Sequence, residues 1–300
     1  MAGAQQVNLR LGTRGSKLAL VQSELFARRL RGAGHEVELV RIITEGDVRP
    51  VDMSAGEGVF VAAIARALVA GDIDIAVHSA KDVPLEEEPE LLIAAYPERA
   101  DPRDVLVTRD GTSTLDSLAH GALVGTDSPR RMGFLLAARP DLQVVPLHGN
   151  VDTRLGRLDE GSIDALVLAA AGIDRLNLTE RIDQRLEPEL IAPAPAQGAL
   201  AVQARRQDVD LLRVLATLDQ RSVRLAVEME REVLKAIGGT CRAPVGALAS
   251  VDGSSFTLLV AGVNSDGTGK RVEHIQGACS DALILAEAAG RRLLAEVALR

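Results

Sequence analysis

Two stretches of the chain, "LGTRGSKLAL" (residues 11–20) and "VGTDSPRRMG" (124–133), end an apolar run in Gly-Thr and then place a serine at the start of a helical pattern. A serine there caps the unpaired N–H groups of the first turn. A helix that starts after a parallel strand also offers those N–H groups and the positive end of its dipole to an anion. Ser16 and Ser128 are therefore expected as helix caps, a role compatible with ligand binding. A second echo follows: "IDIAVHSA" (73–80) is matched by the opening of "IDALVLAAAGIDRL" (163–176). This repeated plan constrains the chain to two related α/β units, with the two helix starts expected to face one crevice.

The remaining pattern fills in each unit. Helical spacing runs through 16–34 and through "VFVAAIARALVAG", with strands expected at 7–13, "HEVELVRIIT", 73–80 and "LLIAAYPE". "DPRD" (101–104) reads as a joint. "ALVGTDS" and "LQVVPLHG" are strands of the second unit, each followed by a helix. "APAPAQGALAVQ" (192–203) is a proline-broken connection into an apolar strand, and 208–237 is helix-rich. "GALASV", a hairpin turning at "NSDGTG" and a final helix over 280–298 complete a small α+β unit.

At 300 residues and a net charge of −8, the chain lacks the basic surface that non-specific nucleic-acid binding needs, and one tyrosine with no tryptophan offers no base-stacking platform. No apolar run is long enough for a bilayer and the first residues lack a secretory pattern, so the expectation is a soluble cytoplasmic protein. Two cysteines, Cys241 and Cys279, form no disulfide framework, and no zinc-type spacing implies a metal. Of 34 basic residues only Lys17, Lys81, Lys235 and Lys270 are lysines; the arginines that make up the rest suit carboxylate ligands.

Candidate chemistry gathers at strand ends. "AVHSAKDVP" puts Ser79, Lys81 and Asp82 at the C-terminal end of a buried strand, where open α/β sheets bind ligands, although the same composition suits a surface turn. Arg14, Arg130, Arg131, Arg154 and Arg175 fall near strand ends or helix starts in both units. A lone arginine on a helix is usually a solvated face; five so placed suggest a site for several carboxylates. In "GGTCRAPVG" (238–246), glycines and a proline describe a kinked loop that presents Cys241, which otherwise would be a small buried hydrophobe.

In order along nearly the whole chain, "GTRGSKLAL", "TEGD", "DIAVHSAKDVP", "DPRDVLV", "VGTDSPRR", "GNVDTRL", "LAAAGIDRL", "PAPAQGALAVQ" and "GGTCRAPVG" resemble the motifs of the porphobilinogen deaminase (hydroxymethylbilane synthase) family. The resemblance implies two α/β domains like those of type II periplasmic binding proteins and a small α+β domain. The division would be 1–101 with 198–216, then 102–197, then 217–300. It implies a monomeric transferase of tetrapyrrole synthesis that joins four porphobilinogen units into hydroxymethylbilane, releasing ammonia, with a product that can pass to a uroporphyrinogen-III-forming enzyme. It also implies a dipyrromethane cofactor held by a thioether at Cys241, with Asp82 as the catalytic carboxylate that stabilises the cation formed as the amine leaves. Ser79, Lys81, Thr126, Ser128, Arg130, Arg131 and Arg154 would hold the cofactor, and Arg14, Ser16, Arg175 and Gln197 the substrate.

Several positions depart from the family pattern. His148 stands where arginine is usual, Asp127 where serine is usual, Thr240 where glycine precedes the cysteine, and Glu57 where some relatives are basic. Two other readings are carried forward. One is a diverged, weakly active or inactive binder of acidic small molecules; the other is a cysteine hydrolase using His78, His148 or His274 as base.

Overall fold

The computed structural model describes residues 8–43, 59–86, 88–239 and 243–297. Thr240, Cys241, Glu57 and the "TEGD" motif lie outside the described residues. Along the chain the first part comprises β1 (Asn8–Thr13), α1 (Lys17–Gly32), β2 (Glu36–Arg41), α2 (Val59–Ala70), β3 (Ile75–Ser79) and β4 (Leu91–Ala95). Next come β5 (Asp104–Thr108), β6 (Leu123–Gly125), α3 (Pro129–Ala138), β7 (Gln143–Val145), α4 (Val151–Asp159), β8 (Ala165–Ala169), α5 (Ala170–Arg175) and β9 (Gln184–Leu186). The chain ends with β10 (Leu200–Arg205), α6 (Val209–Ala216), α7 (Arg221–Ala236), β11 (Val245–Asp252), β12 (Ser255–Gly262), β13 (Arg271–Ala278) and α8 (Ala282–Glu296).

Two compact units result: residues up to Arg99 with Ala199–Arg221, and Ala100–Gly198 with Ser222 onward. The sheet of the first unit runs β2-β1-β3-β10-β4, that of the second β7-β6-β8-β5-β9. Both orders are the same arrangement. In each, three neighbouring strands are parallel and a fourth, β10 or β5, runs antiparallel between β3 and β4 or between β8 and β9. The α/β fold class and the relatedness of the units match the sequence expectation.

Both faces of each sheet are covered, which is why the strands read as apolar runs with little alternation. In the first unit Leu9, Leu11, Phe26, Leu30, Val202 and Leu215 pack on one face, and Ile64, Leu68, Ile73 and Leu91 on the other. In the second, Val105 and Val107 join a cluster with Leu155, Leu158 and Ile173. Leu106, between them, points to the opposite face with Val124, Phe134 and Val167. That second cluster continues into Leu259 and Ala261 of β12 and Val263 just after it, so the antiparallel sheet β11-β12-β13 shares a core with the second α/β sheet.

One connection needs glycine for a stated reason. Gly198 has φ +87°, and a Cβ there would lie 2.5 Å from the Ala100 carbonyl oxygen. Both the left-handed backbone and the close approach exclude a side chain.

Candidate functional site

In the first unit the strand ends lie side by side. Ser16 caps α1, its Oγ accepting from the Ala19 N–H at 3.3 Å, as the sequence predicts. Gln22, one turn and a half into α1, donates to Ser79 Oγ at 3.0 Å and ties the helix to the end of β3. From Ser79 the chain enters a single 3-10 turn, Ala80–Asp82, anchored by the Ala80 N–H to the Ala199 carbonyl at 3.0 Å. This turn half-buries Lys81 and leaves Asp82 exposed, without a hydrogen bond or ion pair to any described residue. Beneath it His78 is buried against Gln203 Oε1 at 3.2 Å, and burial pushes its pKa down to about 4. A neutral, buried imidazole fixed in a sheet is a packing residue, which weighs against its use as the base of a thiol hydrolase.

In the second unit the end of β6 carries Thr126, Asp127 and Ser128. Thr126 Oγ1 accepts from the Ser128 N–H at 3.2 Å, and Ser128 Oγ accepts from the Arg131 N–H at 3.4 Å, capping α3 with Pro129 at its start. The two family departures meet here. Asp127 Oδ2 lies 2.8 Å from His148 Nδ1, while its Oδ1 accepts from the Leu147 N–H at 2.9 Å. Arg154, whose Nε donates to the Gly149 carbonyl at 2.8 Å, approaches the same carboxylate at 3.7 Å. Asp127 is thus turned onto the end of β7 and its own neighbours.

Deeper in this unit Asp104, fully buried, receives three donors' side chains. Arg130 bonds its Oδ2 at 2.7 Å and also the Ala192 carbonyl; Arg131 bonds Oδ1 through Nε at 3.1 Å and a terminal nitrogen at 2.7 Å; Gln197 adds a bond at 3.0 Å. The two guanidinium groups hold the Asp104 carboxyl well below the usual carboxylate range despite the opposing cost of burial. Arg130, only 4% exposed, is committed to this cluster. Sequence reasoning missed Asp104 by treating "DPRD" as a joint; an acid opening an apolar strand that becomes buried has to be paired, and that was the available signal.

The cations here are costly to charge. Burial lowers the Arg154 pKa, and repulsion from Arg131 lowers it further. Burial pushes Arg175 down to about 10, where one terminal nitrogen donates to the Gly198 carbonyl at 2.7 Å. All remain protonated near neutral pH, so the set could accept carboxylate groups. Among the described residues no cluster of His, Cys, Asp or Glu could hold a metal ion. No described helix is long and apolar enough to cross a membrane.

Fold and strand-end chemistry together define an α/β protein whose two similar sheets gather cationic side chains at their parallel strand ends. The family model "Porphobilinogen deaminase, dipyromethane cofactor binding domain" matches residues 9–213, and "Porphobilinogen deaminase, C-terminal domain" matches 224–297. The chain belongs to the porphobilinogen deaminase family, a family of transferases. Relatives named porphobilinogen deaminase include those of Acidothermus cellulolyticus (47% identical over 296 residues, 96% of this chain and 88% of the relative) and Roseiflexus castenholzii (47% over 293 residues, 96% of each). That of Brevibacillus brevis is 43% identical over 292 residues, 96% of this chain and 94% of the relative. Likeness of this extent does not favour the diverged-binder alternative. Solved structures similar to the chain include the methionine binding protein MetQ (TM-score 0.46, 15% identity, 75% of this chain and 94% of that one). Another is the periplasmic sulfonate-binding protein SsuA of Methylobacillus flagellatus (TM-score 0.39, 17% identity, 77% and 68%).

Proposed function

We propose that this chain joins four porphobilinogen units into hydroxymethylbilane, with Asp82 as the catalytic carboxylate and Cys241 as the thioether anchor of a dipyrromethane cofactor. The observation that carries the reading is Asp82 itself, exposed at the end of a buried parallel strand inside the family's "HSAKDVP" motif. When bound, the cofactor supplies the nucleophilic pyrrole carbon from which the chain grows. Its carboxylates fit the donor set: Arg131 and Arg154 repel one another and are relieved by added negative charge, and Thr126 and Ser128 add hydroxyl donors beside a capped helix start.

In this reading Asp82 stabilises positive charge as the substrate amine leaves and accepts a hydrogen bond from pyrrole N–H groups. It also assists removal of the proton from the carbon that forms the new bond. Each addition releases one ammonia, and one water releases the finished bilane. Lys81, Arg14, Ser16 and Arg175 take acetate and propionate groups, while Arg130 and Gln197, both bonded to the buried Asp104, support Arg131. The same proposal includes the three-part division 1–101 with 198–216, 102–197 and 217–300, a cytoplasmic monomer, and transfer of the bilane to a uroporphyrinogen-III-forming enzyme.

Intact-mass measurement of the denatured protein, followed by peptide mapping, tests this directly. The expected result is a dipyrromethane mass on the Cys241 peptide, with Asp82→Asn protein keeping that mass yet consuming almost no porphobilinogen. An unmodified thiol in protein from pyrrole-producing cells, or turnover by the variant near the parental rate, would overturn it.

A further inference from the structure

We infer that Arg41 is a further ligand-binding residue, one that takes a carboxylate of the pyrrole substrate or growing chain beside the start of α1; this rests on the function proposed above. β2 ends at Arg41, in register with Thr13 at the end of β1, and the Ile42 N–H donates to the Thr13 carbonyl at 2.8 Å. Since the sheet order is β2-β1-β3, residues 13–16 are flanked by Arg41 on one side and by Ser79–Asp82 on the other.

The Arg41 guanidinium lies directly on Gly15. A Cβ built there would sit 2.2 Å from a terminal nitrogen, 2.4 Å from Nε and 2.6 Å from Cζ, and those are its three nearest atoms. Gly15 is not in the left-handed region, so what glycine supplies is room for that flat group. An arginine so placed would be unremarkable if it were paired. Elsewhere in this unit Arg10, Arg28, Arg29, Arg31 and Arg205 each meet an acid. Arg41 makes no hydrogen bond or ion pair with any described residue and is exposed. Nor does the first turn of α1 contain an acid, so its N-terminus, with Ser16 as cap and Lys17 exposed beside it, stays electropositive.

A planar guanidinium held against backbone loses little freedom when it meets a carboxylate, and its fork matches that group. Each porphobilinogen brings an acetate and a propionate, so every addition places two more carboxylates to be held. An outer cation on the strand next to the proposed substrate residues Arg14 and Ser16 meets that need without displacing any of them.

The test compares wild type, Arg41→Gln and Arg41→Lys holoenzymes with porphobilinogen as the probe. Removing a charged hydrogen-bonding partner is expected to raise KM about 10-fold in Arg41→Gln, with kcat less affected and Arg41→Lys between the two. Calorimetric binding of porphobilinogen in an Asp82→Asn background should show the same rise of about 10-fold in Kd when Arg41→Gln is added. Melting should be nearly unchanged, because no internal hydrogen bond or ion pair is lost and the group is exposed. Gly15→Ala should reproduce the KM effect by displacing the guanidinium, and cost less than about twofold more when added to Arg41→Gln. Binding and KM within about twofold of wild type in Arg41→Gln, a lowered melting temperature in that variant, or additive loss on adding Gly15→Ala would each overturn the inference. A wild-type protein that gains no pyrrole mass would instead overturn the proposed function.

Discussion

Replacing Asp104 with asparagine keeps its shape and removes the charge on which two buried guanidinium groups depend. Breaking such a pair from one side leaves uncompensated charge in the core, at a cost of about 3–5 kcal/mol. Urea unfolding near neutral pH should show that loss, and a change below about 1 kcal/mol would mean that the guanidinium groups do not depend on it. The pH dependence has a definite sign. The folded carboxyl titrates below its unfolded value of 3.8, so its stabilisation is complete above that value and is lost as pH falls through the folded pKa. Asp104→Asn should lack that part of the acid slope. At this scale the sequence was readable where residue type and local motif suffice: Ser16 and Ser128 do cap their helices. It was opaque where partners come from afar, as with Asp104 and Gln197, 93 positions apart. Asp127 and His148, two separate departures on paper, are one contact in space.

Among the elements, the segment between β9 and β10 is held by α7. Glu230, fully buried on that helix, accepts the Ala196 N–H at 2.6 Å and the Ala249 N–H at 2.8 Å. Ala196 has φ +65°, a conformation that costs a non-glycine residue energy and persists only when its surroundings enforce it. Glu230→Leu removes both acceptors and should destabilise the chain by about 2–3 kcal/mol in urea unfolding, with Glu230→Gln milder because it retains one acceptor. Equal losses in the two variants would show that the carboxylate is not what holds the segment. Helices α1, α3, α7 and α8 and strand β10 follow from apolar periodicity in the sequence. The short β9 does not, because "QRL" has no pattern, and its pairing with β5 supplies what local propensity lacks. Nor could periodicity reveal that β10 enters its sheet antiparallel, since a strand buried on both faces looks the same in either direction.

For the whole molecule, desolvated cations make stability depend on what the protein carries. If the dipyrromethane carboxylates meet Arg131 and Arg154, protein lacking the cofactor should melt lower than mass-verified loaded protein by at least about 5 °C, a gap that narrows as salt rises. Equal melting temperatures would place those carboxylates elsewhere. The strand order carries a different consequence, for synthesis. Translation releases β1 to β4 first, yet their sheet stays incomplete until β10 emerges, after the entire second sheet has left the ribosome. Of the two five-stranded sheets, the one that begins first therefore closes second. Meanwhile the nascent chain carries β3 and β4 with unpaired edges facing the gap that β10 will fill, the kind of edge on which misassembly starts.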